Sequence, residues 1–204
     1  MMSRLPLTET KERGRPREFD TDQALDRAML VFRQKGFHAA SIADLSAAMN
    51  LTAGSIYKAF KDKRTLFLQV FERYTSQRNA DLQQRLQPCA TGREKFAELL
   101  RFYLDSAREL EGRRGCLVVG SATELQVLDD ELSTLVRHAV QRNKAFLAAL
   151  LRQGQEDRSV SIRLNVEAAA ELMLCIAFGM RVAGKVEDLS DREATIQLAM
   201  KLLD

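Results

Sequence analysis

The chain has 204 residues, 46% of them hydrophobic and 29% charged, with a formal net charge of +3. Those values suit a soluble globular protein with a full apolar core and exclude a disordered or collagen-like chain. Three cysteines, Cys89, Cys116 and Cys175, stand at unrelated spacings, which argues against a disulfide framework and suits a reducing cytoplasm.

The N-terminus is polar and charged, without an apolar stretch of signal-peptide type. The longest apolar run, residues 172–180, falls short of the roughly 20 residues a membrane helix requires, so no membrane partner is expected. Three prolines and ten glycines against abundant Ala, Leu, Arg and Glu predict an all-α fold. The charge is unevenly spread. Through Tyr74 there are 13 Lys/Arg against 9 Asp/Glu, and from Thr75 onward 18 against 19. The positive excess lies in the first third, as expected if that part meets phosphate.

In chain order, residues 1–19 mix charges with Gly14, Pro6 and Pro16 and read as a flexible basic arm carrying Arg13, Arg15 and Arg17. Their guanidiniums flank a slim Gly/Pro backbone suited to a narrow minor groove, although a solvated charged tail has the same composition. A first helix follows, capped by Asp20 or Thr21, with Leu25, Ala28, Met29 and Phe32 at helical spacing. Gly36 stands where a helix stop belongs, and Phe37 can fold back on the helix end.

Ser41 and Asp44 form a capping-box pattern before a short helix with apolar positions Ile42, Leu45 and Met49. Asn50 tolerates the left-handed conformation of a sharp turn. Thr52 can cap another short helix over 53–60, with Ala53, Ile56 and Phe60 on one face and Gly54, Ser55, Tyr57 and Lys58 on the other. The pattern is that of a helix-turn-helix, or of an ordinary αα-corner. Lys61, Lys63 and Arg64 come next, with Asp62 as the cap of a fourth helix, which would aim its N–H groups and Lys63 at a phosphate. Arm, outer face and clamp converge on one DNA-binding surface: Arg13, Arg15, Arg17, Ser41, Thr52, Ala53, Gly54, Ser55, Tyr57, Lys58 and Lys63.

The stretch from Gly14 to Tyr74 resembles the N-terminal DNA-binding domain of the TetR family of bacterial transcriptional regulators. The matching features are Ala28, Phe32 and Gly36-Phe37, Ser41 with Ile42, Tyr57 and Phe60, and Lys63 with Leu66. Asn50-Leu51 stands where members usually carry Gly-Val or similar. The resemblance implies a homodimeric repressor of double-stranded operator DNA, with an all-helical ligand-sensing domain behind the head. Domains are accordingly expected at 20–62 for a three-helix head and 63–204 for sensing and dimerisation, with 63–86 as the connecting helix.

Beyond Pro88, helices are expected near 92–111, 116–127, 130–153, 165–184 and 190–203. The 165–184 segment is apolar almost all round, which fits a central core helix or one shared between the core and a second copy of the chain. Because repressors of this resemblance dimerise through their last two helices, residues 165–203 are expected to form a homodimer interface on a palindromic operator with half-sites about 34 Å apart.

Phe102, Tyr103, Phe146, Met173 and Phe178 could equally line an effector pocket or fill the core; Phe102 and Phe146 are the preferred wall residues. Cys116, following Arg113, Arg114 and Gly115 at the start of a helix, has a setting that favours thiolate and so a redox or electrophile sensor. Cys175, inside its apolar run, reads as a small buried residue. His38 and His138 lack companions at metal-ligand spacing, and no phosphate-binding loop or nucleophile elbow occurs, so no enzyme, metal or cofactor is expected. Two functions follow: an operator-binding repressor released by a small molecule, electrophile or redox signal, or a helical ligand- or partner-binding protein without a specific operator.

Overall fold

A computed structural model describes residues 19–188 and 191–204. The described residues are all-helical, so the expected fold class holds. Three helices form the head: α1 (Thr21–Ala39), α2 (Ile42–Met49) and α3 (Ala53–Phe60). The long α4 (Lys63–Leu86) joins it to a body of α5 (Gly92–Asp105), α6 (Glu109–Arg114), α7 (Leu117–Thr123), α8 (Asp130–Glu156), α9 (Val166–Val186) and α10 (Arg192–Met200).

The head's boundaries follow from its caps. Asp20 accepts from the backbone N–H groups of Asp22 and Gln23 at the start of α1. Ser41 and Asp44 close the capping box of α2, with Ser41 N donating to Asp44 at 3.0 Å and Asp44 N donating to Ser41 Oγ at 3.1 Å. Asn50 occupies the left-handed region (φ 54°, ψ 46°) between α2 and α3, and Thr52 and Asp62 cap α3 and α4. Gly36 interrupts α1 with φ 76° and ψ 178°, and one helical turn resumes through Ala39. The break turns Phe37 back onto Phe32 and Phe67, whose ring centroids lie 6.5 and 5.1 Å away.

Two expected elements divide. The helix expected over 92–111 breaks after Asp105, where Ser106 Oγ donates to the Phe102 carbonyl and Glu109 takes φ 50°. The break lets α6 approach α9 closely: a Cβ on Gly184 would overlap the Ala107 backbone. The helix expected over 116–127 ends at Thr123 and continues as a 3-10 turn, Leu125–Val127. The last expected helix starts at Arg192 in the described chain; residue 190 lies outside the described residues.

Two apolar clusters hold the molecule together. One combines the head with α4, α7 and the first half of α8, including Phe32, Leu45, Ile56, Phe67, Leu117 and Val136. The other fills the body with Phe96, Leu99, Phe102, Leu147, Met173 and Ile196. Val140 and Phe178 pack against both, which marks the seam.

Gly36 has two reasons to be glycine. Its φ is positive, and a Cβ there would strike the carboxylate of Glu124, which accepts from Phe37 N at 3.2 Å. Gly36→Ala should cost about 1–3 kcal/mol. In thermal denaturation that appears as a midpoint several degrees lower; an unchanged midpoint would remove the claim that this close approach is required.

Candidate functional site

The outward face of α3 is built by the two residues that point inward. Ile56 (0% exposed) and Phe60 (2% exposed) anchor the helix in the head core. Thr52, Ala53, Gly54, Tyr57 and Lys58 are exposed, with Ser55 half-buried beside them. Ala53, assigned by spacing to the inner face, therefore stands with the outer one. Thr52 Oγ1 accepts from Ser55 N at 3.1 Å, and the Thr52 and Ser55 hydroxyls share a hydrogen bond of 3.0 Å. Ser41 is exposed, but its hydroxyl donates to Asp44 at 2.8 Å as part of the capping box. The side chains of Tyr57 and Lys58 engage no hydrogen-bond or ion-pair partner among the described residues.

The expected phosphate clamp is different from what its spacing suggests. Lys63 Nζ donates to the carbonyls of Phe37 (2.9 Å), Ala40 (3.0 Å) and His38 (3.4 Å), and lies 4.6 Å from the Phe37 ring centroid. All three ammonium donors close the end of α1, so Lys63 stitches α4 to α1 rather than offering a cation to a phosphate. Arg64 pairs with Asp129 at 2.8 Å and with Glu131, across to the start of α8. Of the three cations, Lys61 is the exposed one with no ion pair among the described residues. Arg13, Arg15 and Arg17 lie outside the described residues; Phe19, counted with the arm in sequence, packs against Phe60 with the ring centroids 6.3 Å apart and the rings tilted.

Behind the head, one carbonyl joins three elements. Gly115 O accepts from Arg33 Nε (2.9 Å) and Nη2 (2.8 Å) of α1, and from Arg181 Nη2 (3.2 Å) of α9. Arg33 also pairs with Glu111 at 2.8 Å and lies 5.6 Å from the Tyr74 ring centroid. Tyr74 Oη in turn donates to Cys116 Sγ at 3.4 Å. Arg181 is 2% exposed, and its Nε and Nη1 lack a hydrogen-bond partner.

Cys116 lines a cavity of about 270 Å³ at the seam of the two apolar clusters. Its walls come from α4 (Tyr74, Arg78), α5 (Phe102, Tyr103), α7 (Val118), α8 (Arg142, Phe146) and α9 (Phe178). The three sensing candidates, Phe102, Cys116 and Phe146, all face this one space. Met173 does not; it is 1% exposed in the body core.

Burial pushes the Cys116 thiol up, but Arg181, the Tyr74 hydroxyl, the Val119 N–H and Arg78 outweigh it and hold the thiol below its ordinary value. The cations are not the neighbours in sequence: Arg114 pairs with Glu111 at 2.6 Å, and Arg113 is exposed. Cys89 moves the other way, raised first by burial and then by Glu98 and Glu94. Burial, with Cys116 close by, pushes the Tyr103 phenol up to about 12, so it remains a neutral hydrogen-bond donor.

Cys175 is exposed, contrary to its reading as a small buried residue. It belongs to a stripe on α9 of exposed Ala168, Leu172, Cys175, Gly179, Val182 and Val186, at spacings of four and three. Leu198 and Leu202 are also exposed, on α10 and the 3-10 turn Lys201–Leu203 that follows it. Sequence reasoning also missed Arg33, Glu124 and Arg181, because their roles depend on partners 66 to 87 residues away in the chain.

Two family models match the chain: the bacterial regulatory protein, tetR family model over residues 24–70, and the tetracyclin repressor-like C-terminal domain model over 92–201. The chain is 30% identical to the HTH-type transcriptional repressor ComR of Escherichia coli (strain K12), covering 86% of this chain and 84% of ComR. It is 27% identical to the uncharacterized HTH-type transcriptional regulator YezE of Bacillus subtilis (strain 168), over 94% of this chain and all of YezE. Among solved structures, a cysteine-substituted form of the regulator CifR complexed with 26-base-pair operator DNA matches with 32% identity and a TM-score of 0.76, covering 94% of this chain and 100% of CifR. With family models matching both the DNA-binding region and the C-terminal domain, this chain belongs to the TetR family of transcriptional regulators.

Proposed function

We propose that the protein is a homodimeric repressor that binds a palindromic operator through α3 and leaves it when Cys116 is modified by an electrophile or oxidant. The observation that carries the DNA half is the α3 face: small residues Ala53 and Gly54 bring the backbone near a base edge, while Tyr57 and Lys58 project unengaged from it. Tyr57 reads bases; Lys58 and Lys61 supply the phosphate contacts, in place of the internally committed Lys63. Thr52, Ser55 and Ser41 border the same surface, and Arg13, Arg15 and Arg17 extend the binding face into a minor groove. Operator complexes of CifR support this reading.

The dimer rests on the α9 stripe. Six exposed residues at heptad-like spacing, with open space where a Cβ on Gly179 would stand, suit close packing against the same helix of a second copy. Leu198 and Leu202 extend the apolar surface, at 69% and 44% exposure. The rival reading, a helical binding protein without an operator, leaves the unengaged Lys58 of α3 and the exposed Lys61 that caps it without a purpose.

The release half rests on adjacency. Cys116 follows the residue whose carbonyl holds Arg33 of α1, and Tyr74 touches both sides of that junction. An adduct on Sγ displaces the Tyr74 hydroxyl, loosens the Arg33 clamp and lets the head change its angle to the body.

Three measurements test these parts. In gel-shift titrations, Tyr57→Ala should weaken specific operator binding by about tenfold, the discrimination expected of one base contact, and leave non-specific binding nearly unchanged. Leu172→Glu should sediment as a monomer and lose operator affinity; a dimer that still binds refutes the α9 interface. On the folded protein, alkylation followed by peptide mapping should show Cys116 reacting faster than Cys89 at neutral pH. The sign follows from the opposed shifts: thiolate is the nucleophile, so the Cys116 rate levels off at lower pH than the Cys89 rate. Equal pH profiles would remove the sensor assignment.

A further inference from the structure

The polar walls of the Cys116 cavity are one-sided in charge. Arg78 and Arg142 line it, from α4 and α8, and no aspartate or glutamate does. Arg78 stacks 4.0 Å over the Phe102 ring and makes no ion pair among the described residues, nor does Arg142. Asn79, Gln83 and Asn143 add amide groups to the same wall, and Tyr103 adds a phenol held in its neutral form. Behind Cys116, buried Arg181 has Nε and Nη1 without a hydrogen-bond partner and no carboxylate partner among the described residues. The remaining walls, Leu82, Leu99, Val118, Phe146, Leu147 and Phe178, are apolar.

A cavity with two unpaired guanidiniums and no acid lowers the free energy of an anion and raises that of a cation. A planar carboxylate accepts paired N–H bonds from the guanidinium fork, which makes it the anion that this geometry recognises best. At about 270 Å³ the space sits below the roughly 300–1,000 Å³ typical of drug-sized ligands, so the body attached to the anion is small. We infer that the cavity binds a compact organic carboxylate, its anionic end on Arg78 and Arg142 and its apolar body against Phe102, Phe146 and Phe178, with its far end beside Cys116. This rests on the proposal that the Cys116 cavity is the effector site and supplies that effector's chemical class.

Iodoacetate and iodoacetamide offer the test, because they deliver nearly the same carbon to a thiolate and differ in charge. In each case the Sγ–C bond forms as iodide leaves. Rates at Cys116 are measured by peptide mapping on the folded full chain and divided by those of the urea-unfolded chain. The preference for iodoacetate over iodoacetamide should be about fivefold or more in the folded protein, and should fall towards unity in Arg78→Gln and in Arg142→Gln. As a non-covalent arm, trans-cinnamate should slow iodoacetamide at Cys116, and cinnamamide at equal concentration should not. Circular dichroism shows whether each variant is folded, and Arg142, being exposed, is the substitution least coupled to packing. Equal normalised rates, a preference unchanged in both variants, or equal protection by the amide would each overturn the carboxylate site. No DNA is present, so these outcomes are independent of release. Fluorescence anisotropy of operator DNA with the same alkylated samples reports separately whether modification at Cys116 frees the operator.

Discussion

The carbonyl of Gly115 is the point on which the head, the cavity and α9 converge. It receives two donors from Arg33 and one from Arg181, so helices far apart in sequence are fixed to one backbone atom. A guanidinium that is mostly buried must find acceptors or pay heavily in lost hydration, and a main-chain oxygen serves without adding a second charge. The residue after that carbonyl is Cys116. The chain thus places a thiol that its neighbours hold below its ordinary value one peptide bond from the joint between the head and the rest.

Around that joint the other contacts act as stays. Lys63 closes the end of α1, Glu124 reaches Phe37 through the gap that Gly36 leaves, His38 meets the Val127 carbonyl at 2.7 Å, and Arg64 ties α4 to α8. These are polar contacts at a partly exposed boundary, each worth little alone and directional together. The proposed release would need such an interface to settle in two arrangements with a small difference in free energy.

Much of the head was legible from residue order, because its information is local. Caps at Asp20, Ser41, Thr52 and Asp62, the turn at Asn50 and the inward pair Ile56 and Phe60 all act within a few residues of one another. The body was legible in its long helices and less so at its breaks. Ser106 and Glu109 end and redirect the chain by hydrogen bonding and backbone conformation that propensity does not reveal. Lys63 and Cys175 misled for the same reason from opposite sides. A cation after a recognition helix looks available until three distant carbonyls claim it, and a cysteine in an apolar run looks buried until the helix turns that face outward. The cations around Cys116 show it again: sequence proximity pointed to Arg113 and Arg114, whereas Arg181 and Arg78 arrive from other helices.

The proposed release couples Cys116 to operator binding through Arg33. The direct measurement compares operator affinity before and after alkylation of Cys116, in the native chain and in Arg33→Gln. The coupling free energy is the difference between those two changes. If that coupling holds, alkylation of the native chain costs about tenfold or more in operator affinity, and alkylation of the variant costs much less. An equal loss in both proteins would contradict it, since the signal would then reach the head by a route that does not pass through the Gly115 carbonyl.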